Sequence, residues 1–251
     1  MPWDAVAARA IVEDMQIKGS TALVTGANRG LGRATVEALL AAGAAKVYAA
    51  VRRPGDLTAT DRRVAPIAVD LTDPEQIARA ATTASDVTLL INNGGSLAFA
   101  DPLTGDLAAV ELDLRTNFLG TLSMVRAFAP VLAANGGGAI VNLLSLVVFG
   151  PVPAMGGYSA SKAAAASVTQ ALRAQLADRG IAVHGVFPGA VDTDMIRDFP
   201  IPKSSPADVA AAIVAGVEAG AENIFPDPLA RRGYQAWRAD PSAFERQMAA
   251  M

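Results

Sequence analysis

Two side chains in this sequence stand four residues apart with complementary proton chemistry: the phenol of Tyr158 and the ammonium of Lys162. In a helix, residues i and i+4 share a face, so both groups reach into the same space. A lone phenol titrates at about 10 and is a poor proton donor or acceptor near neutrality. A neighbouring cation favours the phenolate, so Lys162 is expected to lower the Tyr158 pKa toward working pH. Alone, the pair fits a chance pairing on a surface helix equally well. Its meaning rests on the elements around it.

The first of these is a glycine-rich turn that contains Thr25, Gly26, Asn28, Arg29, Gly30, Leu31 and Gly32. Apolar residues 22–24 precede it and read as a buried strand; residues 33–42 follow with a helical pattern closed by Gly43. Strand, glycine turn and helix together make a nucleotide phosphate site. Gly26 permits the tight turn, Gly30 lets the backbone approach a pyrophosphate, and Gly32 allows close helix–strand packing. The helix N-terminus supplies free N–H groups and a favourable dipole.

Strand and helix signals then alternate along the chain. Strands are expected near 20–25, 46–51, 64–69, 87–91, 139–144, 181–187 and 222–225, and helices near 30–42, 74–84, 106–133, 157–178 and 206–219. This order predicts an α/β protein: a single-domain Rossmann fold whose seven-stranded, doubly wound parallel sheet carries helices on both faces. Residues 17–251 form that domain, and residues 1–16 are an N-terminal extension of unassigned role. In such sheets ligands bind beyond the carboxyl ends of the strands. Gly26, Asn92, Ser145 and Pro188 all fall there, and Tyr158 begins the helix after Ser145.

On these motifs the chain resembles the short-chain dehydrogenase/reductase family in its compact, single-domain form, over about residues 18–228. Thr-Gly-x-x-x-Gly-x-Gly stands at residues 25–32, an Asp ending the third strand at Asp70, and Asn92-Asn93-Gly94-Gly95 after the fourth strand. Asn117 in the following helix, Ser145 ending the fifth strand, Pro188-Gly189 after the sixth and Thr193 beyond it complete the register. Gly94 departs from the family's usual Ala and is expected to loosen its loop. Leu144-Ser145-Leu146 departs from the common Ser-Ser pair, yet Ser145 keeps the offset from Tyr158.

The resemblance implies roles. Tyr158 delivers a proton to a carbonyl oxygen while a nicotinamide cofactor delivers hydride to the carbon. Ser145 orients that oxygen, Lys162 tunes Tyr158 and holds the nicotinamide ribose, and Asn117 holds a water next to Lys162. Leu71, Asn93, Gly94, Val191 and Thr193 join the glycine turn and Pro188-Gly189 in lining the cofactor. The cofactor is expected to be NADP(H): where an NAD site places an acidic residue after the second strand, this chain has Arg52-Arg53, and Arg29 adds a guanidinium. Arg53 is read equally well as a solvated loop charge.

Around the reacting oxygen the expected side chains are Ser96, Leu97, Leu146, Val147, Val152, Met155, Met195 and Phe199, almost all apolar. No Arg or Lys stands ready to clamp a carboxylate or phosphate. The substrate is therefore expected to be an uncharged, bulky carbonyl compound, a ketone reduced to a secondary alcohol. Val147 and Val152 fit simple packing under the loop just as well. A second reading keeps the fold as a catalytically idle dinucleotide-binding sensor or scaffold; retention of both Tyr158 and Lys162 argues against it. An epimerase or dehydratase of the same superfamily fits less well, because little is expected after the seventh strand.

Composition narrows the partners. Basic residues number 21 against 24 acidic ones, without a basic block, which argues against nucleic acid. No uninterrupted apolar run approaches the ~20 residues of a membrane span. The N-terminus lacks a secretory signal, and a cytoplasmic location is expected. With no Cys and one His, His184 in a buried-looking strand, a metal site is not expected. The Ala-rich helices near 106–133 and 157–178 are too apolar for a single covered stripe. Together with the family's habit of pairing them, they imply a homo-oligomer, a tetramer or a dimer.

Overall fold

The computed structural model describes residues 15–57 and 61–251. Most of the N-terminal extension, residues 1–14, lies outside the described residues. Seven parallel strands form one sheet in the order β3-β2-β1-β4-β5-β6-β7: β1 Thr21–Thr25, β2 Lys46–Val51, β3 Val64–Ala68, β4 Leu89–Asn92, β5 Gly138–Leu143, β6 Ile181–Val186 and β7 Asn223–Ile224. The order reverses between β1 and β4, the point at which an open α/β sheet leaves a crevice at its carboxyl edge. Central strands are buried on both faces, as their near-continuous apolar runs require.

One face carries α1 Gly30–Ala41 and α6 Pro206–Glu218, whose Leu39, Val209, Ile213 and Val217 pack on Val24, Ile91 and Val141. The other carries α2 Pro74–Thr83, α4 Thr121–Ala134 and α5 Gly156–Leu176, with Phe128, Met124 and Leu132 packed on Leu23, Leu90 and Ile140. The helix expected at 106–133 is α3 Leu107–Asp113, a π-helical segment Leu114–Gly120, and then α4. As a unit, Leu107–Ala134 is long and apolar enough to cross a membrane by length and composition. Here α4 lies against the sheet, and Glu111, Asp113 and Arg115 charge the opening stretch.

The sheet continues into an element absent from the sequence reading. Two helices, α7 Pro228–Ala239 and α8 Pro241–Ala249, follow β7. Each starts with an Asp N-cap and a Pro in its first turn, Asp227-Pro228 and Asp240-Pro241. Phe244 and Met248 of α8, with Trp237 of α7, pack with Leu146 and Val152 and so close over the segment between Ser145 and Tyr158.

Candidate active site

The glycine turn is held by contacts that leave no room for side chains. A Cβ on Gly32 would lie 2.2 Å from the Gly26 carbonyl oxygen, and one on Gly26 would lie 2.9 Å from Gly94 Cα. Asn93 Nδ2 donates to Thr25 O at 2.9 Å, and Gly94 N donates to Thr25 Oγ1 at 2.8 Å. The loop around Gly94 is thus tied down, not loosened as expected from the missing methyl.

Helices α2, α3, α6, α7 and α8 each begin with an Asp or Ser side-chain cap. Helix α1, with Arg29 as its N-cap residue, has none, so among the described residues its first N–H groups have no side-chain acceptor. Bare helix donors beside a glycine cradle fit a dinucleotide pyrophosphate.

Around this turn the other expected cofactor residues converge. Asn28 and Arg29 are exposed and Leu31 is half-buried. Arg29 Nη1 lies 3.2 Å from Asp194 Oδ2, and Thr193 sits against Gly30, so the loop after β6 reaches across to the glycine turn. Arg52 and Arg53 are exposed just past β2, whose Ala50 pairs with Thr25 of β1. Asp70 Oδ1 accepts from Thr72 N and Oγ1, and a Cβ on Gly94 would lie 3.0 Å from Leu71 Cδ1. Pro188 is buried and Gly189 half-buried at the end of β6. Val191 is buried in the core cluster with Val186 and Val209, so it offers only its backbone.

The proton-handling groups meet at the carboxyl ends of β4 and β5. Tyr158 and Lys162 lie one turn apart on α5, with Lys162 Nζ 5.6 Å from the Tyr158 ring centre and donating to Leu143 O at 2.7 Å. Ser145, 8% exposed, hydrogen-bonds Tyr158. Asn117, on the π-helical segment, accepts from Ser96 N and donates to Ser96 O and Ser161 Oγ, all at 2.9 Å. Both amide protons are therefore engaged in pinning the loop after β4 to α5, and Oδ1 keeps a second lone pair for the water expected there. Lys162 Nζ and Asn117 Oδ1 both border Gly95, whose missing Cβ would stand 3.7 and 2.8 Å from them.

Electrostatics correct one expectation directly. Burial pushes the Tyr158 phenol up to about 12, with the Ser145 hydrogen bond opposing the rise and the charge of Asp113 adding to it. Burial also pushes the Lys162 ammonium down from 10.5 to about 8, against the pull of Asp113. The expected lowering of the phenol by Lys162 does not dominate in this structure. The ammonium lies beside the ring, directs a proton to Leu143 O, and shares the same poorly solvated space. Tyr158 accordingly keeps its proton across neutral pH.

Asp113 went unread in the sequence. It is fully buried on α3, accepts from Ser96 Oγ at 2.6 Å and takes Ala98 N on both oxygens at 3.2 and 3.0 Å. That settles Ser96 as a loop anchor: its only hydroxyl proton goes to Asp113, so it is not a free donor to substrate. Nothing in the local sequence marks a bond spanning 17 positions.

The remaining expected substrate residues divide into two groups. Leu146 and Val152, 4% and 5% exposed, are buried with Phe244 and Met248, and Val147 and Met155 pack against that cluster. Because α7 and α8 cover this segment, Leu146 and Val152 serve as internal packing instead of substrate contacts. Leu97 is half-buried, while Met195 and Phe199 are exposed. Phe199 stacks on Phe99 from the loop after β4, with ring centroids 5.1 Å apart and planes inclined by 21°. Two loops thus meet through exposed aromatic rings. His184 is a core residue: Nδ1 faces Ala221 O at 2.7 Å, Nε2 has no partner among the described residues, and burial lowers its pKa.

A parallel sheet with its crevice at β1/β4, a glycine cradle for phosphate and a Ser–Tyr–Lys cluster define a dinucleotide-dependent oxidoreductase. The family model for short chain dehydrogenase matches residues 20–202. The chain belongs to the short-chain dehydrogenase/reductase family, oxidoreductases that act on CH–OH or carbonyl groups with a nicotinamide dinucleotide. A solved short chain dehydrogenase from Burkholderia cenocepacia, in complex with NADP, matches with a TM-score of 0.90 at 43% identity, covering 93% of this chain and 99% of that one. The 1-deoxy-11-beta-hydroxypentalenate dehydrogenase of Streptomyces exfoliatus is 34% identical over 221 residues, 81% of this chain and 79% of the relative. Carbonyl reductase (NADPH) 2 of Sus scrofa is 34% identical over 188 residues, 73% of this chain and 76% of the relative.

Proposed function

We propose that this protein is an NADPH-dependent ketone reductase that interconverts an uncharged, apolar, flat or cyclic ketone and its secondary alcohol. The observation that carries the chemistry is the cluster of buried Ser145 and Lys162 with half-buried Tyr158, beside the glycine cradle. A nicotinamide dinucleotide, when bound, supplies the hydride in reduction and accepts it in oxidation. Tyr158 Oη gives its proton to the carbonyl oxygen in reduction and recovers it in oxidation. Its high pKa keeps the phenol in the donor form required for reduction. The Ser145 hydroxyl donates to the same oxygen and fixes it against Tyr158. Lys162 provides a positive charge to the phenolate left after transfer and would hold the ribose.

Preference for NADP(H) is supported by Arg52 and Arg53 at the end of β2 and by Arg29 on the glycine turn. An exposed guanidinium binds a 2′-phosphate through charge-assisted bonds that an acidic residue would oppose. The NADP bound in the Burkholderia cenocepacia relative agrees with this reading. The substrate class is supported by Leu97, Met195 and the stacked Phe99 and Phe199, which offer apolar area on the loops after β4 and β6. A homo-oligomer is supported by Leu103 and Leu107, 92% and 73% exposed, with Leu112 and Leu119 on the same stretch.

The direct test compares kcat/KM for NADPH and NADH across a panel of aryl, cyclic, short aliphatic and carboxylated ketones. NADPH and the aryl or cyclic ketones should lead. Equal efficiency with both cofactors, or activity confined to charged carbonyl compounds, would overturn the reading.

A further inference from the structure

Asp227 is a carboxylate 1% exposed, between β7 and α7, that the proton chemistry above does not use. Its two oxygens are divided between two tasks. Oδ1 accepts from Ala230 N at 2.9 Å and caps α7. Oδ2 accepts from Gly189 N at 2.8 Å, in the turn that ends β6. The approach is close: a Cβ on Gly189 would lie 2.9 Å from Asp227 Oδ1 and 2.9 Å from Leu229 Cβ.

The same turn is tied on its other side. Leu146 N donates to Pro188 O at 2.9 Å, and Leu146 directly follows Ser145. The Leu146 side chain in turn rests on Gly233 of α7, where a Cβ would meet Leu146 Cδ2 at 2.6 Å. A continuous path therefore runs from the Asp227 carboxylate through the Pro188–Gly189 peptide to the Leu146 N–H beside Ser145. Helix α7 closes that path back on itself. Burial of a carboxylate for capping alone is uneconomical, since Ser or Asn caps a helix about as well.

We propose that Asp227 is a positioning residue: it sets the Pro188–Gly189 turn, which would help hold the cofactor, and through Leu146 it sets the Ser145 hydroxyl. This rests on the assigned cofactor site and goes beyond it, because it makes the C-terminal helical pair part of the active-site support.

The variants Asp227→Ser and Asp227→Asn separate the two tasks. All three side chains cap comparably, so a cap-only role predicts three proteins alike. The positioning role predicts otherwise. Ser leaves Gly189 N without its acceptor, and Asn, with its capping oxygen on Ala230 N, turns an amide donor toward that N–H. Loss of a hydrogen bond to a charged group should lower kcat and weaken NADPH binding by about tenfold or more, Asn no better than Ser, with KM for ketone changing less. Hydrogen exchange of the peptide spanning residues 186–191, measured on the protein alone, should accelerate in both variants while helix content stays unchanged.

Unchanged exchange there, or kcat and NADPH affinity within about twofold of the wild type, would overturn the proposal. The exchange experiment does not depend on turnover. A wild type inactive on every ketone would therefore strike the functional reading alone.

Discussion

Replacing Lys162 by Met should separate stability from catalysis. Lys162 is 6% exposed, and burial holds its pKa at about 8 instead of 10.5. Between those values the folded protein binds fewer protons than the unfolded chain. Stability therefore rises with pH across that window, and below it the full penalty of keeping the buried ammonium charged remains. At 1.36 kcal/mol per pKa unit, the penalty at neutral pH is roughly 3 kcal/mol. Methionine removes it and keeps much of the volume. Against this, the Lys162 hydrogen bond to Leu143 O is lost, and a stranded carbonyl costs about 1–3 kcal/mol. The net expectation at pH 7 is a gain of about 1 kcal/mol, or about 2–4 °C in Tm for a chain of this size. Urea melts of both proteins at pH 7 and pH 9.5 are the assay. The margin of the variant over the wild type should shrink by about 2 kcal/mol at the higher pH, because the wild type sheds its penalty there. Tyr158 does not confuse this window: its pKa is raised to about 12, so its stabilising effect falls away only between about 10 and 12. Turnover should collapse in the variant at both pH values. A loss of more than about 2 kcal/mol at pH 7, or a pH-independent difference, would refute the reasoning.

Other perturbations read different parts of the site. Arg52→Asp should lower kcat/KM with NADPH by about tenfold or more while leaving NADH less affected, because a carboxylate there repels a 2′-phosphate; an unchanged cofactor ratio counts against the Arg52 assignment. Phe99→Ala and Phe199→Ala should each reduce the preference for acetophenone over 2-butanone by about 2- to 12-fold, the range of one aromatic stack. Identical losses on both ketones would reduce the pair to a loop contact. Light scattering at micromolar concentration should give a dimer or tetramer; a stable monomer would leave Leu103 and Leu107 unexplained.

The sheet could be read in the sequence because its strands are apolar on both faces and each is punctuated by a glycine turn or a helix start. All seven strands fall where the apolar runs put them, within two residues at each end. Tyr158, Lys162 and Ser145 were legible for a related reason: their spacing along β5 and α5 is local, and local geometry converts spacing into proximity. What escaped was non-local or collective. The π-helical segment at Asn117 has no composition signature, and the pairing of Asp113 with Ser96 joins separate elements. The pKa of Tyr158 depends on how much protein surrounds it, which a neighbouring Lys in the sequence does not reveal. Helices α7 and α8 are rich in Arg and polar residues and bury only Ala230, Gly233, Phe244 and Met248 between them. Their apolar signal is therefore thin. The signal that was present was capping: Asp227-Pro228 and Asp240-Pro241 each pair a strong N-cap with a proline fit for the first turn. Without these helices Leu146 reads as a substrate contact and Val152 as either contact or packing; both lie beneath them.

The central claim is that Tyr158 moves the proton while the fold around it binds the dinucleotide independently. Tyr158→Phe removes one oxygen and leaves the ring in place. Single-turnover oxidation of NADPH by an aryl ketone, followed at 340 nm by stopped flow alongside a fluorescence titration of NADPH, measures both halves at once. The account predicts a hydride-transfer rate lower by about 10²- to 10⁴-fold with NADPH affinity within about threefold of the wild type. A variant that still transfers hydride at close to the wild-type rate would contradict it.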